Sequence, residues 1–167
     1  MSCLGVHFSL SSDEVERLRA FDDESVRLDH LREVIEEGYL ENHVERTAES
    51  DKTWDAMHRA LSDGQLSWDG GDYPLNHVVL AGELLYTQPD YIMTLKTPDQ
   101  VRDVAAALPS VTESEFRRRY YAIDAGTYPS PLDEQDFTAT WDSFQAVREF
   151  WLRAAEESRW ILFTADQ

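Results

Sequence analysis

Apolar positions along the chain first alternate and then fall into helical spacing. Leu4, Val6, Phe8 and Leu10 share one side of an alternating run, which predicts a strand over 3–10. Ser11 with Glu14, flanked by Leu10 and Val15, is a capping box with a hydrophobic staple, so a helix opens there and runs to about residue 21. Leu28, Leu31, Val34 and Ile35 form the inward stripe of a second helical stretch over 25–47, which Gly38 weakens or divides. Trp54, Met57, His58 and Leu61 stand at i, i+3, i+4 and i+7 in a third helix over 51–61, closed by Gly64.

The run Ser67-Trp68-Asp69-Gly70-Gly71-Asp72 is turn chemistry and predicts a loop. Pro74 starts a short helix with Leu75, Val78 and Val79, stopped by Gly82. Leu84–Tyr86 and Tyr91–Leu95 predict short strands, and Thr97-Pro98-Asp99-Gln100 caps a helix that buries Val101, Val104, Ala105 and Leu108 and ends at Pro109. Thr112 and Glu115 form another box for a helix to about Tyr121, and a Gly- and Pro-containing loop, 124–132, follows. A last helix over 134–157 turns Phe137, Trp141, Phe144, Val147 and Trp151 inward. Trp160-Ile161-Leu162-Phe163 is an unbroken apolar run, the pattern of a strand buried on both faces. These elements predict an α+β fold over 1–167, a single mainly helical domain packed on a small sheet that includes the N- and C-terminal strands.

Composition narrows the function. The 167 residues carry a formal charge of −18 and one cysteine, so no disulfide forms within the chain. Such acidity disfavours nucleic-acid phosphates and anionic membrane surfaces as partners. The opening Met1–Val6 lacks a basic signal-peptide start, and no apolar run reaches membrane-spanning length, so a cytoplasmic protein is expected. The acids are spread along the chain, as a solvated surface requires or as a surface that captures a basic partner would. There is no glycine-rich phosphate cradle, no serine elbow and no metal-ligand spacing, and neither cofactor nor metal is expected.

The candidate residues are few. Cys3 and His7 share a strand face but stand roughly 13 Å apart, too far for a nucleophile pair. His58 lies one turn beyond Trp54, where an imidazole is either satisfied in the core or forms a cleft wall beside the indole. His77 is expected to be exposed, and Trp68 is either a contact residue or a fold-back over the core. Of Arg117, Arg118 and Arg119, one is expected to turn inward. Arg119, Asp124 and Tyr128, on a helix end and its loop, either bind an anion or pin the loop internally.

The segment Asp51-Lys52-Thr53-Trp54-Asp55-Ala56-Met57-His58, then Pro74-Leu75, Val79-Leu80-Ala81-Gly82-Glu83, Thr97–Val101 and Tyr128-Pro129, resembles the YfbM-like family of uncharacterised bacterial proteins. The D-K-x-W-x-x-x-H helix is the most specific piece, and the likeness spans nearly the whole chain. Thr127 stands where the family's tyrosine-proline step is usually preceded by Ile, and Ser130-Pro131 replaces an aromatic. The resemblance implies one α+β bacterial domain and carries no established activity. The leading expectation is a non-catalytic binding module with a recess lined by Trp54, His58, Arg119, Asp124 and Tyr128 for a small polar ligand or a partner's side chain. The alternatives are an immunity-type protein that neutralises a basic protein, and a small hydrolase or transferase using His58, Arg119 and Asp124.

Overall fold

The computed structural model describes residues 3–167, so the start of the Met1–Val6 opening lies outside the described residues. Five strands form one antiparallel sheet in the order β2-β1-β5-β4-β3. They are β1 (Gly5–Leu10), β2 (Thr47–Asp51), β3 (Glu83–Leu84), β4 (Tyr91–Lys96) and β5 (Trp160–Asp166). β5, predicted to be covered on both sides, is the central strand. Its Leu162 faces Phe8, Leu10, Met93 and Leu95 in one core, while Ile161, Phe163 and Ala165 face the other.

Helices cover both faces. The first core is closed by α1 (Ser12–Arg19), α2 (Glu24–His30), a π-helical turn (Leu31–Glu36) and α3 (Glu37–Asn42). The second lies under α4 (Trp54–Leu61), α5 (Pro98–Ala107), α6 (Glu113–Tyr121) and α7 (Glu134–Glu156). The predicted boxes at Ser11 and Thr97 close reciprocally, with Glu14 and Gln100 reaching back to the cap backbone. At Thr112 only half of the box forms, because the Glu115 carboxylate goes to Arg118 and Arg119 instead.

Four local expectations are corrected. The second helical stretch stops at Asn42, and residues 47–51 form β2, an edge strand that turns small Ala48 and Ser50 inward. Val34 is 54% exposed, whereas Leu31 and Ile35 are buried. The π-helical turn is wider and advances less per residue, so Val34 falls short of the inward stripe. The third helix begins at Trp54, not at residue 51, because Asp51 ends β2 in the left-handed region at φ 45°. Trp141, expected inward, is half-buried and packs at a tilt on Phe116 and Phe144.

Gly5 sets how closely α4 can approach the sheet. A Cβ there would lie 2.6 Å from Trp54 Cδ1 and 2.9 Å from Trp54 Cγ. The Gly5→Ala substitution is therefore expected to destabilise by about 1–3 kcal/mol through overpacking. In a Trp54→Leu background that cost should nearly vanish; urea denaturation of the two singles and the double variant checks the coupling.

Candidate functional site

The site begins where β2 turns into α4. After the bend at Asp51, the first turn of α4 places Trp54 against Phe163, ring centres 5.7 Å apart, with its indole N–H donated to Cys3 O at 2.8 Å. One residue on, Asp55 Oδ1 accepts from Arg59 Nε at 2.6 Å across one helical turn. Arg59 is 4% exposed and donates twice more to Thr127, from Nη1 to the hydroxyl at 3.0 Å and from Nη2 to the carbonyl at 3.3 Å. The threonine at the tyrosine-proline step thus supplies an acceptor that an isoleucine side chain lacks.

Tyr128, next in the loop, turns inward. Its hydroxyl donates to Asp136 Oδ2 at 2.8 Å, and the Tyr120 hydroxyl donates to the same oxygen at 2.6 Å. The Arg59 guanidinium lies 5.6 Å from the Tyr128 ring centre. Burial pushes the Asp55 carboxyl up; Arg59 opposes the shift, and the charge of Asp136 adds to it. Burial first, then the bond to Asp136, pushes both phenols well above their ordinary range.

These groups frame a recess of about 330 Å³ lined by Trp54, Asp55, Tyr128 and Leu66, with Lys52 and Cys3 also in its wall. Trp54 and Tyr128 therefore line one recess. The other three residues of the predicted site do not join them. Arg119 lines a separate recess of the same size with Tyr73, Leu75 and Val111, and is paired with Glu115 at 3.0 Å. Asp124 is exposed and accepts from Gly126 N at 2.9 Å, a turn that fastens its own loop.

His58 is corrected most sharply: it is 0% exposed and fronts no opening. Its Nε2–H donates to Ser67 O at 2.7 Å, from the loop that follows α4. His7 and Lys96 treat the next stretch in the same way. His7 Nε2 reaches Val78 O at 2.6 Å, and Lys96 Nζ donates to Val79 O and to Thr94 Oγ1. Burial, reinforced by Lys96, holds His7 down at about 3; burial alone holds Lys96 well below the usual ammonium range. His77 is half-buried rather than exposed, with Nδ1 2.8 Å from Asn76 Oδ1, and burial lowers it to about 4. None of Arg117, Arg118 and Arg119 is buried; each pairs with a glutamate at the surface. Trp68 is exposed.

Asp55, Arg59, Thr127 and Asp136 were not among the expected site residues. The i, i+4 spacing of Asp55 and Arg59 is a signal for the pair, but its burial depends on the loop at Thr127. Removing the cation strands a largely buried carboxylate: Arg59→Leu is expected to cost about 3 kcal/mol, and Asp55→Asn in the same chain should recover part of it, measured by urea denaturation.

Among the described residues no helix is long and apolar enough to cross a membrane, and no three His, Cys, Asp or Glu side chains are placed to share a metal ion. No curated protein matches the chain. Its structure is similar to the crystal structure of YfbM from Escherichia coli, a protein of unknown function, at 18% identity and a TM-score of 0.70, over 97% of this chain and 99% of that one. At that identity the likeness shows the fold alone. The family model described as a domain of unknown function, DUF1877, matches residues 1–164, and the chain belongs to that family.

Proposed function

We propose that this chain is a non-catalytic binding module of the cytoplasm, and that the recess between Trp54, Asp55 and Tyr128 holds a small polar ligand or a partner's side chain. The observation that carries this reading is a concave site with an aromatic wall and one part-exposed carboxylate, held rigid from behind by Arg59 and Asp136. Asp55 is held from one side by Arg59, and its charge is raised in energy by burial and by Asp136. A donor-bearing ligand would relieve that cost. His7 and His58 are engaged with backbone carbonyls, which supports holding over acid–base chemistry.

N-methylguanidinium is a suitable probe, titrated by calorimetry at pH 7. Wild type should bind it, and Asp55→Asn should weaken binding at least about tenfold, the worth of one charged hydrogen bond. Equal affinity in the two proteins would remove the recess from consideration.

The face formed by α2, the π-helical turn and α3 favours a second reading. Val34 and Leu40 are exposed there beside exposed Glu33, Glu37 and Glu41, on a chain of net charge −18. A basic protein docked on it should lose affinity steeply as salt rises, and Glu37→Lys with Glu41→Lys should slow its association; a salt-insensitive complex would count against this reading.

A further inference from the structure

The loop 62–73, between α4 and the short turn at Leu75–His77, walls the recess of the proposed function through Leu66 and a neighbouring one through Trp68. Leu66 and Trp68 are both exposed, so little apolar burial holds the tip of the loop down. The bond from His58 to Ser67 O ties the middle of the loop to the body of the protein. Other contacts lie within the loop or at its ends: Gln65 N to Asp63 Oδ1, Ser62 Oγ to His58 O, and Tyr73 OH to Asp103 Oδ2. Gly64 and Gly71 bracket the tip at φ 84° and 80°, conformations in which a glycine backbone turns freely.

We propose that loop 62–73 is a lid on the Trp54–Tyr128 recess and that His58 is its proton-sensitive catch. The inference rests on the recess reading for its consequence, although the catch itself does not. With Nε2–H given to Ser67 O, the other ring nitrogen, Nδ1, is buried and has no hydrogen-bond partner. A proton added at Nδ1 would be a buried N–H without an acceptor, and the ring would be a cation beside others. The groups that face it are Arg59 from its own helix and Lys96 from β4, which oppose protonation, and Asp63 on the loop, which favours it. Once the loop lifts, the ring meets water and its proton costs nothing unusual. Lifting the loop also uncovers the side of α4 that His58 shares with Trp54, so the recess would deepen toward the imidazole.

The sign follows from the two states of the ring. With the loop closed, burial above all lowers His58 from 6.5 to about 4. Released, it titrates near its ordinary value. Closure is therefore fully favoured above about pH 6.5, and the open fraction grows by up to about tenfold per pH unit between 6.5 and about 4.

Nuclear magnetic resonance of the intact protein tests this. The backbone amides of residues 63–72, the Trp68 indole N–H and the His58 ring carbons are followed from pH 7.5 to 4. The loop signals should move on one curve with the His58 ring while amides of α7 stay fixed. His58→Gln, which offers an N–H to Ser67 O but does not titrate, should flatten the loop curve. Loop signals that titrate identically in His58→Gln, that move only together with α7, or that stay fixed while the ring protonates would each overturn the catch. N-methylguanidinium affinity at pH 7 and pH 5 then addresses the lid. A ratio of affinity at pH 5 to affinity at pH 7 at least threefold higher in wild type than in His58→Gln supports it, because Asp55 protonation weakens binding in both proteins and only wild type opens the loop; equal ratios overturn it. Absence of guanidinium binding at either pH would defeat the recess reading, and with it the lid, while the loop titration still decides the catch.

Discussion

Three backbone carbonyls, those of Ser67, Val78 and Val79, find their donors in side chains rather than in a neighbouring strand. The stretch between α4 and β3 packs into the core that α4–α7 cover, yet its backbone bonds run within itself, from Asn76 N to Asp72 O and from Ala81 N to Asn76 O. A buried carbonyl without a donor costs about 1–3 kcal/mol. His58, His7 and Lys96 supply those donors from α4, β1 and β4. The demand explains why three basic residues lie in a core otherwise built from Trp151, Phe163 and Val78. Their charge is suppressed by burial, and for the two histidines the bonds to the carbonyls oppose that suppression without overcoming it.

The charged network on the adjacent face of α4 works differently. Asp55, Arg59 and Asp136 lie at the margin of the core, where the loop after α6 crosses α4 and α7. Arg59 is held by a carboxylate, a hydroxyl and a carbonyl together, so a planar cation fixes the distance between a helix and a loop that share no backbone ladder. Tyr128 and Tyr120 do the same for α6, its loop and α7 by converging on one oxygen of Asp136. The recess is the space left in front of this arrangement.

Legibility in the sequence follows the range of the forces involved. β1, α5, α7 and the two-sided burial of β5 could be read because caps and periodicity are local and Trp160–Phe163 offers no polar face, whereas the order of the strands could not. β2 could not, since after Thr47 the run Ala-Glu-Ser-Asp has none of the branched and aromatic residues that mark strands and is held by pairing with β1. The inward direction of His58 was legible from its place on the Trp54 stripe; its enclosure was not, because Ser67 and its loop close over it from outside the helix. Arg119, Asp124 and Tyr128 are close in sequence and part in space. The helix end sends Arg119 to Glu115, the turn at Asp124 reverses the chain, and only Tyr128 is carried to Asp136.

The borders of the sheet carry a last consequence. β3 pairs through two residues, Glu83 with Leu95 and Leu84 with Thr94, and β2 displays Glu49 and Asp51 on its outward side. A stretch that short presents scarcely one rung of unpaired amide and carbonyl groups, and the opposite border meets any incoming copy with like charge. The two borders thus offer an incoming strand little to pair with, so the sheet is closed to extension by brevity on one side and by charge on the other.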